Sequence, residues 1–427
     1  MRTLPVSRPR KPRSDRRQRV PPALTRGSER VDGISILDEV SGDLGLLLWR
    51  SARNVTLWAE TPAEERATLF PGDAARSRAA DLGLADVPQE LRGPLSVLTA
   101  LLARPGDVDL LRLVNACRRI AVWAEQRGEL ATALEFSQAA ALAAPESASL
   151  AYAVGRLARR RAEYDRAESW YTRAVVQGRQ SSDWRSYALA FSGMGNLHMQ
   201  RGNYPAARRS HLRCLKVAER QGLLELVGSA YHDLFGTAVE TGAGSAADDL
   251  AVLAFHAYGP RDPRIPRLAY DVAYHWALQG YFARALAVGE ALLPHMTDES
   301  ERAVVHGLIA RAAAGVGNTA LFASATRETR LLAERDGARE TAARALLGVV
   351  YGAAHLGEWD LAQDVGLRAV TIARKRNEGR VLLAAEAALD SVHTRNLAVP
   401  VPEAHSISAE VLATEFVGAL RTLAVAA

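Results

Sequence analysis

Residues 202–207 read Gly-Asn-Tyr-Pro-Ala-Ala, and the recurrence of this phrase sets the architecture of the chain. A small residue leads, a bulky one follows two positions later, and alanine comes five positions after the first. Seven copies occur between Gly128 and Gly357; six carry the alanine and five the bulky residue, whose place is taken by Gly244 and Thr319 in the other two. The leading residues are Gly128, Ala162, Gly202, Gly242, Gly280, Gly317 and Gly357, spaced by 34, 40, 40, 38, 37 and 40 positions. A fixed period in this range indicates a solenoid of stacked units.

The phrase has a physical interpretation in terms of paired helices. Glycine at the start permits the left-handed backbone conformation that ends a helix. A small residue five positions later permits two helices to approach to about 8–10 Å where they cross. The segments between phrases lack the alternating apolar pattern of strands. We therefore expect antiparallel helix pairs throughout residues 107–395.

The pattern resembles the tetratricopeptide repeat, a family built of two antiparallel helices per unit. The third repeat matches it best, with Phe191, Met194-Gly195, His198, Gly202-Asn203-Tyr204 and Ala207 at the family's motif positions. Repeats of 37 to 40 residues resemble the longer arrays of bacterial regulators and signalling proteins. The resemblance implies an all-α fold: an α-solenoid with a right-handed superhelix.

The resemblance also implies a binding groove, because the first helix of each tetratricopeptide unit lines the concave face. The family's contact positions fall in this chain on Arg118, Tyr152, Arg156, Arg159, Arg160, Asn196, Gln200, His232, Tyr270, Tyr274, Arg311 and Tyr351. Asn196 occupies the place of the family's backbone-binding asparagine. Arginine and tyrosine are favoured at binding hot spots. A carboxylate or phosphate ligand would suit the arginines of the first three repeats.

Four segments are predicted along the chain. Residues 1–33 form a basic Arg/Pro-rich tail that is expected to be disordered, and residues 34–106 form a helical N-terminal cap. Residues 107–395 form the array, about seven repeats and a partial one. Residues 396–427 form a linker and an amphipathic helix, which we interpret as a C-terminal capping helix. A dimer contact, or a helix lying in the groove, is the alternative for this last element.

Charge and cysteine content restrict the partners. The whole chain carries a net charge of +5, whereas residues 1–30 alone carry ten Lys or Arg against Asp15 and Glu29. This tail is either a solvated segment or an arm that binds nucleic acid or another polyanion. The two cysteines, Cys117 and Cys214, are expected to be buried thiols. With no run of 18 apolar residues and no signal-peptide pattern, we expect a cytoplasmic protein without a membrane span.

No motif for catalysis, a metal or a cofactor is found in the sequence. Phosphate loops, zinc-protease helices, nucleophile elbows and Cys-x-x-Cys pairs are all missing. We expect a non-catalytic scaffold that binds a protein or peptide in its groove and needs no cofactor. The alternative is a bacterial regulator whose array senses a peptide or small effector while the tail or a partner engages nucleic acid. A third hypothesis is self-assembly, as a homodimer, through the C-terminal helix.

Overall fold

The structure is a computed structural model that describes residues 34–335, 341–376, 378–396, 400 and 407–426. Every regular element in these ranges is a helix, which confirms the predicted all-α fold. The predicted tail at 1–33 and most of the predicted linker lie outside the described residues. The chain forms two compact units, which divide between Leu197 and His198, inside the predicted array. We call them the N-terminal and C-terminal units.

The N-terminal unit starts with helices that pack on the first helix pair of the repeats. They are α1 (Ser35–Glu39), α2 (Gly42–Glu60), a 3-10 helix (Ala63–Thr68), α3 (Ala74–Leu84) and α4 (Gln89–Ala103). The carboxylate of Glu39 accepts hydrogen bonds from the backbone N–H groups of Ala131 and Thr132, both at 2.8 Å. These N–H groups belong to the first turn of the helix Leu130–Ala143, the second helix of the first repeat pair. N–H groups in a first turn have no hydrogen-bond partner within their own helix. Glu39 therefore joins α1 to the repeats.

The repeats follow as successive helix pairs. In the N-terminal unit they are α5 (Leu110–Gln126), α6 (Leu130–Ala143), α7 (Ala148–Arg160), α8 (Tyr164–Ser181) and most of α9 (Trp184–Gln200). In the C-terminal unit they are α10 (Tyr204–Gln221), α11 (Leu224–Glu240), α12 (Gly244–Tyr258), α13 (Ile265–Leu278), α14 (Phe282–Leu292), a 3-10 turn (Leu293–His295), α15 (Glu299–Gly315), α16 (Thr319–Ala333), α17 (Ala342–His355), α18 (Trp359–Lys375), α19 (Gly379–His393) and α20 (Ile407–Ala426). From α5 to α19, odd-numbered helices are the first helices of their pairs. Each unit is thus an α-solenoid segment of tetratricopeptide-like pairs.

The seven predicted turns all lie between the first and second helix of a pair. Their leading residues have positive φ, from 60° at Ala162 to 84° at Gly280. The N–H of the following residue closes each turn on a carbonyl five residues earlier, as Asn203 does on His198 at 2.9 Å. This is the hydrogen bond of a Schellman helix end. The sequence phrase is therefore a helix-terminating signal followed by the start of the second helix.

The small residues of the phrase lie where the paired helices cross. The six alanines are completely buried: Ala133, Ala167, Ala207, Ala247, Ala285 and Ala362. The sixth copy has Phe322 instead, and there the space is provided by a neighbour. A Cβ added to Gly352 of α17 would lie 2.9 Å from the Phe322 ring. In the sixth repeat the small residue therefore lies on α17, the first helix of the next pair, where Gly352 faces Phe322.

A close backbone approach in the C-terminal unit joins the first helices α15 and α17. A Cβ on Gly348 would lie 2.2 Å from the carbonyl oxygen of Gly307, and one on Gly307 would lie 2.4 Å from that of Ala345. Only glycine fits at these two positions without separating the helices. The contact fixes the relative placement of two helices that carry predicted groove residues.

The C-terminal helix α20 is amphipathic as predicted, but its position differs from a cap on the last repeat. It packs against α12, α13 and α14, in the middle of the C-terminal unit. Phe416 is fully buried, with its ring 5.2 Å from that of Phe255 and 6.4 Å from that of Trp276. The physical reason is that α12 and α13 contact each other little across 259–264, a connection that holds two prolines, and α20 fills the space beside them. None of the described helices has both the length and the apolar character that crossing a bilayer requires.

Candidate functional site

In the N-terminal unit, two of the four predicted arginines share one counter-ion. Arg156 of α7 binds the carboxylate of Glu125 on α5 through both terminal nitrogens, at 2.5 and 2.6 Å. Arg160 reaches the same carboxylate at 2.5 Å. The hydrogen bond from Arg156 holds the pKa of Glu125 below its usual value. This bidentate pair joins α5 to α7, and the carboxylate neutralises one of the positive charges expected for a ligand.

The other predicted residues of the first three repeats are dispersed. Arg118 and Gln200 are exposed, and Asn196 is half-buried. The ring of Tyr152 lies 6.1 Å from that of Tyr171. Arg159 lies near Tyr171, where burial raises the pKa of the tyrosine to about 12. No single ligand-sized arrangement of these side chains follows from the contacts.

In the C-terminal unit, by contrast, the predicted residues of three first helices come together. Tyr270 and Tyr274 lie one turn apart on α13 and stack on each other, with ring centroids 6.1 Å apart. The guanidinium carbon of Arg311 on α15 lies 4.3 Å from the ring centroid of Tyr351 on α17. Arg344 of α17 lies 5.1 Å from the Tyr274 ring and 5.6 Å from the Tyr270 ring. We call these five residues the Arg–Tyr cluster.

Arg311 is the unusual member of the cluster. Only 7% of its surface is exposed. Within the part of the chain that the structure describes, its charged neighbours include no carboxylate; Tyr274 and Tyr351 are the groups that act on it. Burial lowers the pKa of the guanidinium, although an arginine keeps its proton at any ordinary pH. A buried cation without an anion is costly unless something else compensates it.

Arg344 was missed in the sequence, although a signal for it exists. It precedes Tyr351 by seven residues on α17, so the two side chains share one face of that helix. Among the groove residues predicted from the resemblance, Tyr351 lies on this helix, and Arg344 was not included. The negative potential of Tyr270 is the main cause that raises the pKa of Arg344.

Two polar contacts surround the cluster. His232 of α11 hydrogen-bonds Asp271 of α13, with 3.0 Å between the ring Nε2 and the carboxylate oxygen. Arg380 of α19 pairs with Glu240 of α11, and that hydrogen bond raises the pKa of Arg380. The first helices α11 and α19 are therefore linked directly, although 139 residues separate the two partners along the chain. His232 is held in place by Asp271 at one edge of the cluster.

In the described ranges, no three side chains of His, Cys, Asp or Glu lie close enough to hold a metal ion. The two cysteines are buried, and burial raises the pKa of the Cys117 thiol to about 12. A thiol with such a pKa is a poor nucleophile.

Comparisons with known proteins give similar folds at low identity. No protein-family model matches the chain, and no curated protein matches it either. Among solved structures, it is similar to a Rap protein complexed with Competence and Sporulation Factor, at 11% identity and a TM-score of 0.48, over 79% of this chain and 99% of that one.

Two other solved chains show weaker similarity. BtubC from P. vanneervenii is 15% identical with a TM-score of 0.32, over 64% of this chain and 93% of that one. The TPR2AB domain of yeast Sti1, in a complex with pHSP90, is 14% identical with a TM-score of 0.26, over 66% and 98% of the two chains. At these scores the similarities do not indicate a function.

Proposed function

We propose that the protein is a non-catalytic scaffold that binds a peptide or a protein segment on the first helices of its C-terminal unit. The observation that carries the proposal is the Arg–Tyr cluster, in which α13, α15 and α17 bring two arginines and three tyrosines together. Such side chains offer large contact areas with directional polar groups at their tips.

The stacking inside the cluster favours binding for an entropic reason. Tyr270 and Tyr274 support each other and Arg344, while Tyr351 supports Arg311. Side chains that are held before a ligand arrives lose little rotamer freedom on binding. The guanidinium of Arg311 lies over the Tyr351 ring, so its N–H edges can donate hydrogen bonds to a partner.

Site-specific photo-cross-linking tests the proposal. A photoreactive phenylalanine analogue replaces Arg267, an exposed residue that precedes Tyr270 by three and Tyr274 by seven positions on α13. The matched control carries the analogue at Leu367, an exposed residue on the second helix α18. We expect a defined protein adduct in cells from position 267 that is absent from position 367 and is lost when Tyr274→Ala is added.

If position 267 gives no adduct, or the same adducts as position 367, the first helices are not the binding surface. Where an adduct forms, digestion and mass spectrometry identify the partner segment, and the synthetic segment is then titrated against the protein by calorimetry.

The nucleic-acid hypothesis depends on residues 1–33, which lie outside the described residues, and it stays a prediction. A gel shift at low salt, comparing the full chain with a variant lacking residues 1–33, tests it. The hypothesis requires a shift that depends on the tail and disappears as salt is raised. The proposed scaffold works in the cytoplasm, where its buried thiols stay reduced.

A further inference from the structure

The cationic part of the Arg–Tyr cluster lacks an anion. Arg311 is 93% buried, since 7% of its surface is exposed, and it faces tyrosine rings. A tyrosine ring can stack on a buried cation, but the neutral ring carries no net negative charge that would balance it. By comparison, Arg156 in the N-terminal unit is more exposed and yet has a bidentate carboxylate partner. Arg311 therefore differs from Arg156, because no carboxylate of the described residues balances its charge.

The neighbouring charges define which anion would fit. Arg344 supplies a second cation, and Asp271 is the carboxylate close enough to act on it. Arg380 is already paired with Glu240. The two arginines of the cluster and the neighbouring Asp271 together carry a net charge of about +1, which a monovalent anion balances. A phosphate dianion would leave excess negative charge next to Asp271.

The geometry favours a planar anion that carries an apolar group. A carboxylate can accept two parallel N–H donors from a guanidinium. Tyr270, Tyr274 and Tyr351 provide ring surface beside the arginines, on which an aromatic or aliphatic group can pack. Burial of the site strengthens the attraction, because the local dielectric constant is lower than in water.

We infer that Arg311, supported by Arg344, binds a carboxylate carried next to an apolar or aromatic group of the ligand. The inference rests on the proposed function where the carboxylate belongs to a peptide, and it names the chemistry that the cluster recognises. The same chemistry occurs in a peptide C-terminus and in a small organic acid. The experiment separates these two sources.

Four probes are titrated by calorimetry against the full chain in a low-chloride buffer. Benzoate and its neutral amide, benzamide, represent a small acid. The tripeptide acetyl-Ala-Ala-Phe, with a free carboxylate or as the C-terminal amide, represents a peptide. We expect saturable binding of the acids and none of the amides. Tighter binding of the tripeptide acid than of benzoate identifies a peptide source, and the reverse identifies a small acid.

The variant Arg311→Met keeps the length of the side chain but removes the charge. We expect it to weaken the binding of the acids about ten- to a hundredfold. We also expect it to raise the melting temperature of the ligand-free protein, because it removes a buried charge without a partner. A residue with a purely structural role would lower that temperature instead. The matched control is Arg374→Met, at an exposed arginine of α18 that pairs with Glu386, and it should bind the acids as the wild type does.

The inference is overturned if acid and amide bind equally, if Arg311→Met binds the acids as tightly as the wild type, or if inorganic phosphate binds more tightly than both acids. If Arg311→Met does not fold, the acid–amide comparison and the variant Arg344→Met decide. If position 267 gives cross-links but none of the probes binds, the inference about the carboxylate is wrong and the proposed peptide-binding function stands. If the acids bind but position 267 gives no cross-links, the proposed scaffold function is wrong, and the cluster is a binding site for a small acid.

Discussion

Ala162 is the one leading residue of the seven turns that is not glycine, and its φ of 60° lies in the left-handed region. A side chain in that region costs about 1–2 kcal/mol, whereas glycine adopts it without strain. We predict that Ala162→Gly raises the free energy of unfolding by about 0.5–1 kcal/mol, because the relief of strain exceeds the added entropy of the unfolded chain. Urea unfolding followed by circular dichroism measures the change.

The same substitution in an ordinary helix provides the control. Ala80 is exposed in the interior of α3, in the same unit, and Ala80→Gly should lower the free energy of unfolding by about 1 kcal/mol. Opposite signs for the two variants support the turn geometry. Equal destabilisation would contradict it.

His211 on α10 predicts a pH dependence of the C-terminal unit. The ring is completely buried, and burial lowers its pKa, with a smaller opposing effect from Asp233 at 3.4 Å. Below about pH 6.5 the unfolded chain takes up a proton that the folded chain excludes. The stability associated with the neutral ring is therefore complete above about pH 6.5 and is lost as the pH falls below that value.

We predict that the urea midpoint falls between pH 7 and pH 5 and that His211→Gln makes this decline shallower. His275 and His306, whose pKa values burial also lowers, add to the slope, whereas Glu135, whose pKa burial raises to about 7, opposes it in the same pH range. Cys214→Ala, a buried position one turn away on α10, controls for local loss of packing and should keep the wild-type slope. A slope that is unchanged in His211→Gln would contradict the prediction.

At the residue scale, the turns could be predicted from sequence and the cluster only in part. Glycine two positions before a bulky residue identifies a turn locally, and even Ala162 was recognised by its phrase. Tyr270, Tyr274, Arg311 and Tyr351 were predicted from the resemblance. That Arg311 faces rings while Arg156 faces Glu125 depends on contacts between helices, which no local pattern contains.

The α15–α17 contact belongs to the scale of elements. Gly348→Ala would place a Cβ 2.2 Å from the backbone oxygen of Gly307, and a backbone atom cannot move aside as a side chain can. We predict a loss of about 2–3 kcal/mol in the free energy of unfolding. Binding at the Arg–Tyr cluster should weaken too, since α15 carries Arg311.

Gly236→Ala is the matched control. Gly236 lies inside α11, and nothing lies within 4 Å of the Cβ position there. Alanine should therefore stabilise the protein by about 0.5–1 kcal/mol through helix propensity. If both substitutions have the same effect in urea unfolding, the close approach of α15 and α17 is not real.

Helix identities were predictable, but the partners of several helices were not. The phrase identifies which residue lies at a crossing, so the six alanines were located correctly. In the sixth repeat the small residue is Gly352, in the following helix, where a search for one fixed phrase does not look. The periodicity of α20 indicates its apolar face, yet a stripe of Leu412, Phe416 and Leu420 fits many surfaces. Its place on α12–α14 follows only from the folded unit.

At the scale of the whole molecule, the position of α20 bears on the self-assembly hypothesis. Its apolar stripe is buried within the C-terminal unit, around Phe416. We predict that Phe416→Ala lowers the free energy of unfolding by about 3–5 kcal/mol and leaves the molar mass in light scattering unchanged at low temperature. Val411→Ala, at an exposed position of the same helix, should have little effect.

If α20 instead held a dimer together, deletion of residues 403–427 would convert a dimer to a monomer with little loss of stability. The buried stripe predicts a destabilised chain that exposes apolar surface and aggregates. Light scattering of the deletion variant, combined with its urea midpoint, separates these outcomes.

The uniform turn between paired helices has a consequence for how such a chain can grow. In all seven copies the connection has three residues, as in 127–129 and 356–358, and the same backbone hydrogen bond closes it. A duplicated pair would bring its own turn and would require no new side-chain partner there. Gene duplication can therefore extend the first-helix surface in steps of one pair, and the reach of such a protein toward longer ligands can change without inventing a new fold.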